Sequence, residues 1–209
     1  MTGTLHLIRH GQTTANVEKI LDTRPPGAAL TAEGRDQARR FAADRPGVRP
    51  AALLSSVARR AQQTADLIGK GWGVPYRVVD GVHEIQVGDL EGRNDEAALE
   101  RFREFVRRWH DGDGAARSEG GESVDDLLER YIAAVDRIRE DDLPGGDVYL
   151  VSHGAAIRLA AARLAGVPAD FAFDNHLANA SEVVLAPEGD RWRLVSWGET
   201  TRSDADPMG

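Results

Sequence analysis

The chain has 209 residues and no cysteine, with 26 Lys and Arg against 34 Asp and Glu, a formal charge of −8. The missing cysteine excludes a disulfide framework, a thiolate metal site and a Cys nucleophile. The acidic balance opposes nucleic-acid binding, which needs a basic field to neutralise phosphates. Hydrophobic residues at 41% and charged residues at 29% fit one globular domain with an extensive core, not a disordered or fibrous chain. Met1-Thr2-Gly3-Thr4 carries no basic stretch, and the apolar run behind it ends at Arg9. That run is too short for a secretory signal or a membrane span, so a cytoplasmic location with no membrane partner is expected.

Leu5 to Ile8 reads as a short buried strand that stops at Arg9-His10-Gly11. Thr31 caps a helix with Ala38, Phe41 and Ala42 on one face, stopped by Pro46-Gly47. Ala51 to Leu54 is a second apolar strand, and Ser55-Ser56 introduces a helix through Ala61, Ala65 and Ile68. Tyr76 to Val79 is a third strand. Asn94 caps a long amphipathic helix with a stripe of Ala98, Phe102, Phe105, Val106 and Trp109, interrupted by the Gly-rich stretch Asp111 to Gly121. Gly120-Gly121-Glu122-Ser123 reads as a loop and cap. Ser123 starts a helix whose apolar face is Leu127, Leu128, Tyr131, Val135 and Ile138. Val148 to Val151 is a fourth strand, ending in Ser152-His153-Gly154 before an Ala- and Leu-rich helix to about Ala165. A β-hairpin, Glu182 to Leu185 and Trp192 to Trp197, closes the order, and the residues after Gly198 read as a frayed polar tail.

Strands alternating with helices predict an α/β fold: three layers, α/β/α, around a mostly parallel central sheet. Residues 1–198 form the single domain, 94–121 an inserted helical cap or lid, and 199–209 the tail. The edge of the terminal hairpin offers a homodimer contact.

Two strands each run into a His-Gly. In open α/β sheets ligands bind at the carboxyl ends of the strands, so this echo predicts two adjacent imidazoles, with Arg9 beside the first. Ser55-Ser56-Val57-Ala58-Arg59-Arg60-Ala61 hands an arginine into a helix start, where a phosphate dianion is well received. Glu84, after the third strand, supplies the carboxyl needed to protonate an alkoxide leaving group. Two histidines, two arginines and a glutamate suit phosphoryl transfer, which is mainly positioning and charge stabilisation. No metal or cofactor is required.

Arg9-His10-Gly11 with Asn16 six residues after His10, Arg60-Ala61 within Ser-Ser…Gln-Thr-Ala, Glu84 within Glu-x-x-x-Gly-x-x-Glu-Gly, and Ser152-His153-Gly154 resemble the ordered motifs of the histidine phosphatase superfamily (phosphoglycerate mutase-like). The resemblance runs from about Leu5 to Leu185. It implies that His10 becomes a phosphohistidine, that Arg9, Arg60 and His153 form the phosphate pocket with Asn16 and the Gly154 N–H, and that Glu84 is the proton donor. Arg60 is preferred to Arg59 because the family arginine directly precedes the Ala. Related phosphatases often carry Gln near the position of Asp22, whose charge would repel a dianion. Asp22 therefore either points away or sits in an unusual loop, Leu21 to Ala29. Ile85-Gln86-Val87 after Glu84 replaces the basic and aromatic motif of the mutase branch. The resulting expectation is a metal-independent phosphomonoesterase acting on a small phosphorylated metabolite.

The alternatives are a phosphoglycerate-type mutase using the same residues, a two-histidine metalloenzyme, which lacks an accompanying HExxH, and a non-catalytic phospholigand-binding module. Among the other candidates, His83 is read as a strand-end residue or indirect contact, and His6 as packed. His110 and His176 are placed in loops, and Glu91 is a cap or a competing acid. Arg101, Arg103, Arg107 and Arg108 are read as a solvated face paired with Glu100 and Glu104, and Phe102, Phe105 and Trp109 as core-facing or as a lid over the site.

Overall fold

Leu5, Leu7 and Ile8 are fully buried, as are Val148, Leu150 and Val151 beside them. Strands of this kind must be covered on both faces. The computed structural model describes residues 3–198 and the backbone of 200–201. The chain runs β1 (Leu5–Arg9), α1 (Thr14–Glu18), α2 (Ala32–Ala43), β2 (Ala52–Ser55), α3 (Arg59–Trp72), β3 (Arg77–Val78), α4 (Glu96–His110) and α5 (Val124–Asp141). It continues with β4 (Val148–Ser152), α6 (Gly154–Ala165), α7 (Ala169–Asp174), β5 (His176–Leu177), β6 (Glu182–Glu188), β7 (Arg191–Trp197) and β8 (Thr200–Thr201).

Six strands form one sheet in the order β3-β2-β4-β1-β6-β7. The first four are parallel, and β6 and β7 add an antiparallel edge. Alternate side chains divide the core. Ile8, Leu53, Tyr149 and Val151 pack under α2 and α3 with Phe41, Ile68 and Trp72. Leu5, Leu7, Leu54, Val148 and Leu150 pack under α5 and α6 with Leu127, Tyr131, Val135 and Ile157. This is the expected α/β/α arrangement around a mostly parallel sheet.

Several boundaries differ from expectation. The cap of α4 is Asp95, whose carboxylate accepts from the Ala98 N–H at 3.1 Å. Asn94 instead donates through Nδ2 to the Glu18 carbonyl at 3.0 Å. The third strand shrinks to Arg77–Val78, both exposed at the sheet edge, where there is little apolar surface to extend it. α1 and α7 were not expected; at five and six residues they are too short to display helical periodicity. The polar tail lies mostly outside the described residues, but Thr200–Thr201 within it pair antiparallel with β5. Phe102 is buried, and Phe105 and Trp109 are half-buried against the main core. The α4 arginines bond carboxylates on the outer surface: Arg103 and Arg107 reach Glu100, while Arg101 takes Asp89 and Arg108 takes Asp113. Among the described residues no helix is long and apolar enough to cross a membrane.

The start of α5 is fixed by a reciprocal cap. The Asp126 N–H donates to Ser123 Oγ at 3.1 Å, and the Ser123 N–H donates to Asp126 Oδ2 at 3.0 Å. Replacing Ser123, which is fully buried, with Ala removes one acceptor from that helix end. The expected loss is about 1 kcal/mol in denaturant unfolding, with Ser123→Thr retaining most of the wild-type stability.

Candidate active site

β1 and β4 lie side by side with Arg9 opposite Ser152, so His10 and His153 leave adjacent strands at the same level. Their ring centroids are 5.3 Å apart. A Cβ on Gly11 would stand 2.4 Å from the Gly34 carbonyl oxygen, so the turn after β1 packs backbone against the first turn of α2 and only glycine fits. The Gly11 N–H donates to Thr64 Oγ1 at 3.1 Å, and that hydroxyl donates to the Arg60 carbonyl at 2.8 Å. The His10 turn is thereby tied to α3.

His10 Nδ1 lies 2.8 Å from the Gly11 carbonyl, and Arg60 Nε donates to His10 Nε2 at 3.0 Å. A guanidinium N–H can only donate. Nε2 therefore carries a lone pair, and the Nδ1 proton is directed at the carbonyl. Burial, then the charges of Arg60 and Arg9, hold the His10 pKa well below its ordinary value. His153 Nε2 lies 2.8 Å from Ser56 Oγ, while its buried Nδ1 has no hydrogen-bond partner. Its pKa is also well below normal, by burial first and then by Arg60 and His10.

Glu84 is 3% exposed. Its carboxyl receives the Ala156 and Ala155 N–H groups at the start of α6, at 2.9 and 3.2 Å, and the Ile85 N–H at 3.0 Å. Burial raises its pKa; these N–H groups and Arg60 act in the opposite direction. The loop carrying it is braced by Arg130, which donates to the carbonyls of Gly81, His83 and Glu84. Glu122 completes the brace, bonding Arg130 at 2.7 Å and accepting the Gln86 N–H at 2.9 Å.

Arg9, His10, Asn16, Arg60, Glu84 and Gly154 line one cleft, together with Asp22. His153 stands behind His10, fully buried and outside that lining. Arg9 is buried and donates through Nη1 to the Leu177 carbonyl at 2.5 Å. Asn16 Oδ1 accepts the Thr13 N–H at 3.0 Å, fixing its amide beside the cleft. Arg60 is buried while Arg59 is exposed, as the choice between them requires.

Asp22 does not point away. Its Oδ2 is 3.1 Å from Arg60 Nη1 and accepts the Ala28 N–H at 2.9 Å. Gly27, with φ +67°, passes so close that a Cβ there would be 2.4 Å from Arg60 Nη1. Of the two expectations, the unusual loop is the one realised. Glu91 holds that loop, accepting the Thr23 and Arg24 N–H groups at 2.9 and 3.0 Å, and does not line the cleft.

The remaining histidines stand outside the cleft lining. His6 stacks on Tyr149 at 4.0 Å and bonds Glu182 at 2.8 Å. His83 sits 4.0 Å from Glu122 Oε1. His110 bonds Asp170 on the surface, at the end of α4 and not in a loop, and His176 belongs to β5. Sequence reasoning missed Ser56, Thr64 and Arg130 as positioning residues. Ser56 and Thr64 lie inside the Ser-Ser…Gln-Thr-Ala stretch, so that motif carried a signal for them. Arg130, half-buried on a helix otherwise read for its apolar face, carried none. Among the described residues no three His, Asp or Glu side chains group as metal ligands.

A model of the histidine phosphatase superfamily (branch 1) matches residues 5–200. A probable phosphoglycerate mutase, GpmB, of Escherichia coli is 29% identical, over 96% of this chain and 92% of the relative. The solved structure of a mycobacterial glucosyl-3-phosphoglycerate phosphatase is 29% identical with a TM-score of 0.82, over 95% of this chain and all (100%) of the other. A putative α-ribazole-5'-P phosphatase from Escherichia coli is 26% identical with a TM-score of 0.78, over 99% and 98% of the two chains. With its ordered motifs gathered into one cleft and nearly its whole length matched, the chain belongs to the histidine phosphatase superfamily, branch 1.

Proposed function

We propose that this protein hydrolyses a small phosphate monoester through a covalent phosphohistidine on His10, without a metal. The observation that carries the reading is the neutral His10 Nε2, held by Arg60 Nε at 3.0 Å, beside a buried carboxyl whose pKa is raised. The Nε2 lone pair attacks phosphorus in line as the ester P–O bond breaks, and the Glu84 proton passes to the departing alkoxide. In the second half, water bonds to phosphorus as the P–Nε2 bond breaks. The Glu84 carboxylate takes the water proton, which restores the acid and releases inorganic phosphate. Arg9, Arg60, Asn16 and the Gly154 N–H at the start of α6 stabilise the equatorial oxygens. His153, outside the cleft lining, packs edge-on against His10 as a neutral ring and holds it in place.

The cleft measures about 20 Å³, room for about one water. For His10 Nε2 to attack, Arg60 Nε must release the Nε2 lone pair. The relatives divide between names, one a probable mutase and two phosphatases. The residues after Glu84 favour hydrolysis. Ile85 and Val87 are buried at 0% and 3% and offer no cation to a second phosphate. Product analysis separates the two, since hydrolysis releases free phosphate and a mutase returns an isomerised ester.

His10→Ala is expected to abolish the acid-labile, base-stable phosphoenzyme seen in a rapid quench, with turnover reduced ~10³-fold or more. Wild-type turnover in that variant would sink the mechanism. Replacing Asp22 with Asn removes the carboxylate that competes for Arg60. Inorganic phosphate should then inhibit about tenfold more tightly, as read from its inhibition constant. Burial and the two arginines disfavour the imidazolium, so His10 should titrate below 6.5 in NMR of the free protein. Arg60→Gln should move that titration upward, because it deletes one of the repelling charges.

A further inference from the structure

A second cavity, of about 130 Å³, lies against α4, α6 and α7. Its walls are mainly apolar: Phe102, Val106 and Trp109 from α4, Leu159 from α6 and Phe173 from α7. Phe102 and Trp109 meet edge to face at 6.1 Å and 82°. Arg158 is buried, and its Nη1 donates to the Ala172 carbonyl at 3.0 Å, so this polar wall residue ties α6 to α7.

Two walls of the cavity join the phosphate cleft directly through the chain. Gly154 lines the cleft and Ala155, the next residue, lines the cavity. The Ala155 N–H holds Glu84 Oε2 at 3.2 Å. On the other wall is His176, and its neighbour Leu177 accepts Arg9 Nη1 at 2.5 Å. The first turn of α6 and the His176–Leu177 segment thus border the cavity and also hold Glu84 and Arg9 of the cleft. The leaving-group oxygen must lie against Glu84 to receive its proton, which sets the alcohol beside the first turn of α6, where Ala155 is also a cavity wall.

We propose that the cavity is the subsite for an apolar, ring-sized part of the ester's alcohol, so that the preferred substrate carries an aromatic or cycloaliphatic group close to the ester oxygen. The inference rests on the phosphatase reading above and names its substrate class. The size agrees: an apolar cavity of about 150 Å³ takes a benzene ring. The chemistry agrees as well, since aromatic walls favour offset or edge-on contact with a ring.

Calorimetric titration with benzylphosphonate and methylphosphonate, which cannot be hydrolysed, tests the subsite on the intact protein. Burying the ring should make benzylphosphonate bind about thirtyfold more tightly. Val106→Phe, which fills the cavity, should reduce that ratio to below about threefold. Trp109→Ala, which enlarges it, should shift preference toward naphthylmethylphosphonate and serves if the first variant is overpacked. Equal affinity for the two phosphonates in the wild type, or a ratio that neither variant moves, overturns the subsite while leaving the phosphate cleft in place. Failure of both phosphonates to bind overturns the phosphate reading itself and this proposal with it.

Discussion

The parallel pairing of β1 with β4 sets Arg9 opposite Ser152, and every other part of the cleft is arranged around the two histidines that follow. The register is not free to slip. Leu5, Leu7, Leu150 and Val148 are committed to the α5–α6 face, and Ile8 and Val151 to the α2–α3 face. A one-residue shift would turn each set toward the wrong side. The hydrophobic division of the sheet is thus what brings residues 143 positions apart in the chain to a ring separation of 5.3 Å.

Electrostatics inside the cleft follow from burial. Arg60 is the shared element: it donates to His10 Nε2, pairs with Asp22 and lowers the pKa of both histidines. A buried cation needs partners, and Asp22 and the His10 lone pair are those partners. In the proposed reaction a phosphoryl dianion takes their place. On that reading the same side chain turns from holding His10 in its neutral form to holding the phosphoryl group that His10 attacks. On the same reading Asp22 makes phosphate binding an exchange of one anion for another.

Glu84 has the complementary problem. A buried carboxyl prefers to be neutral, whereas three backbone N–H groups and Arg60 prefer it charged. For the proposed reaction that balance suits a group that serves as acid and then as base from one position. Arg130 and Glu122 keep the loop in place from outside the cleft. The Gly120–Ser123 stretch, read from sequence as a loop and cap, therefore also takes part in positioning Glu84 through Glu122.

The sequence by itself determined the elements that have a period or a punctuation mark: the four parallel-sheet strand positions, the caps Thr31 and Ser123, and the terminal hairpin. It also determined which residue types gather, because the His-Gly pairs, Arg60-Ala61 and Glu84 sit in ordered motifs at strand ends. Tertiary structure alone decided the rest. α1 and α7 are too short to carry a helical pattern, and the orientation of Asp22 depends on Arg60, 38 residues away. The bracing by Arg130 depends on carbonyls whose positions are fixed by chain packing, not by any side-chain pattern. Local periodicity and turn chemistry are written in neighbouring residues, whereas the partners of a buried charge are chosen by whatever the folded backbone brings within reach.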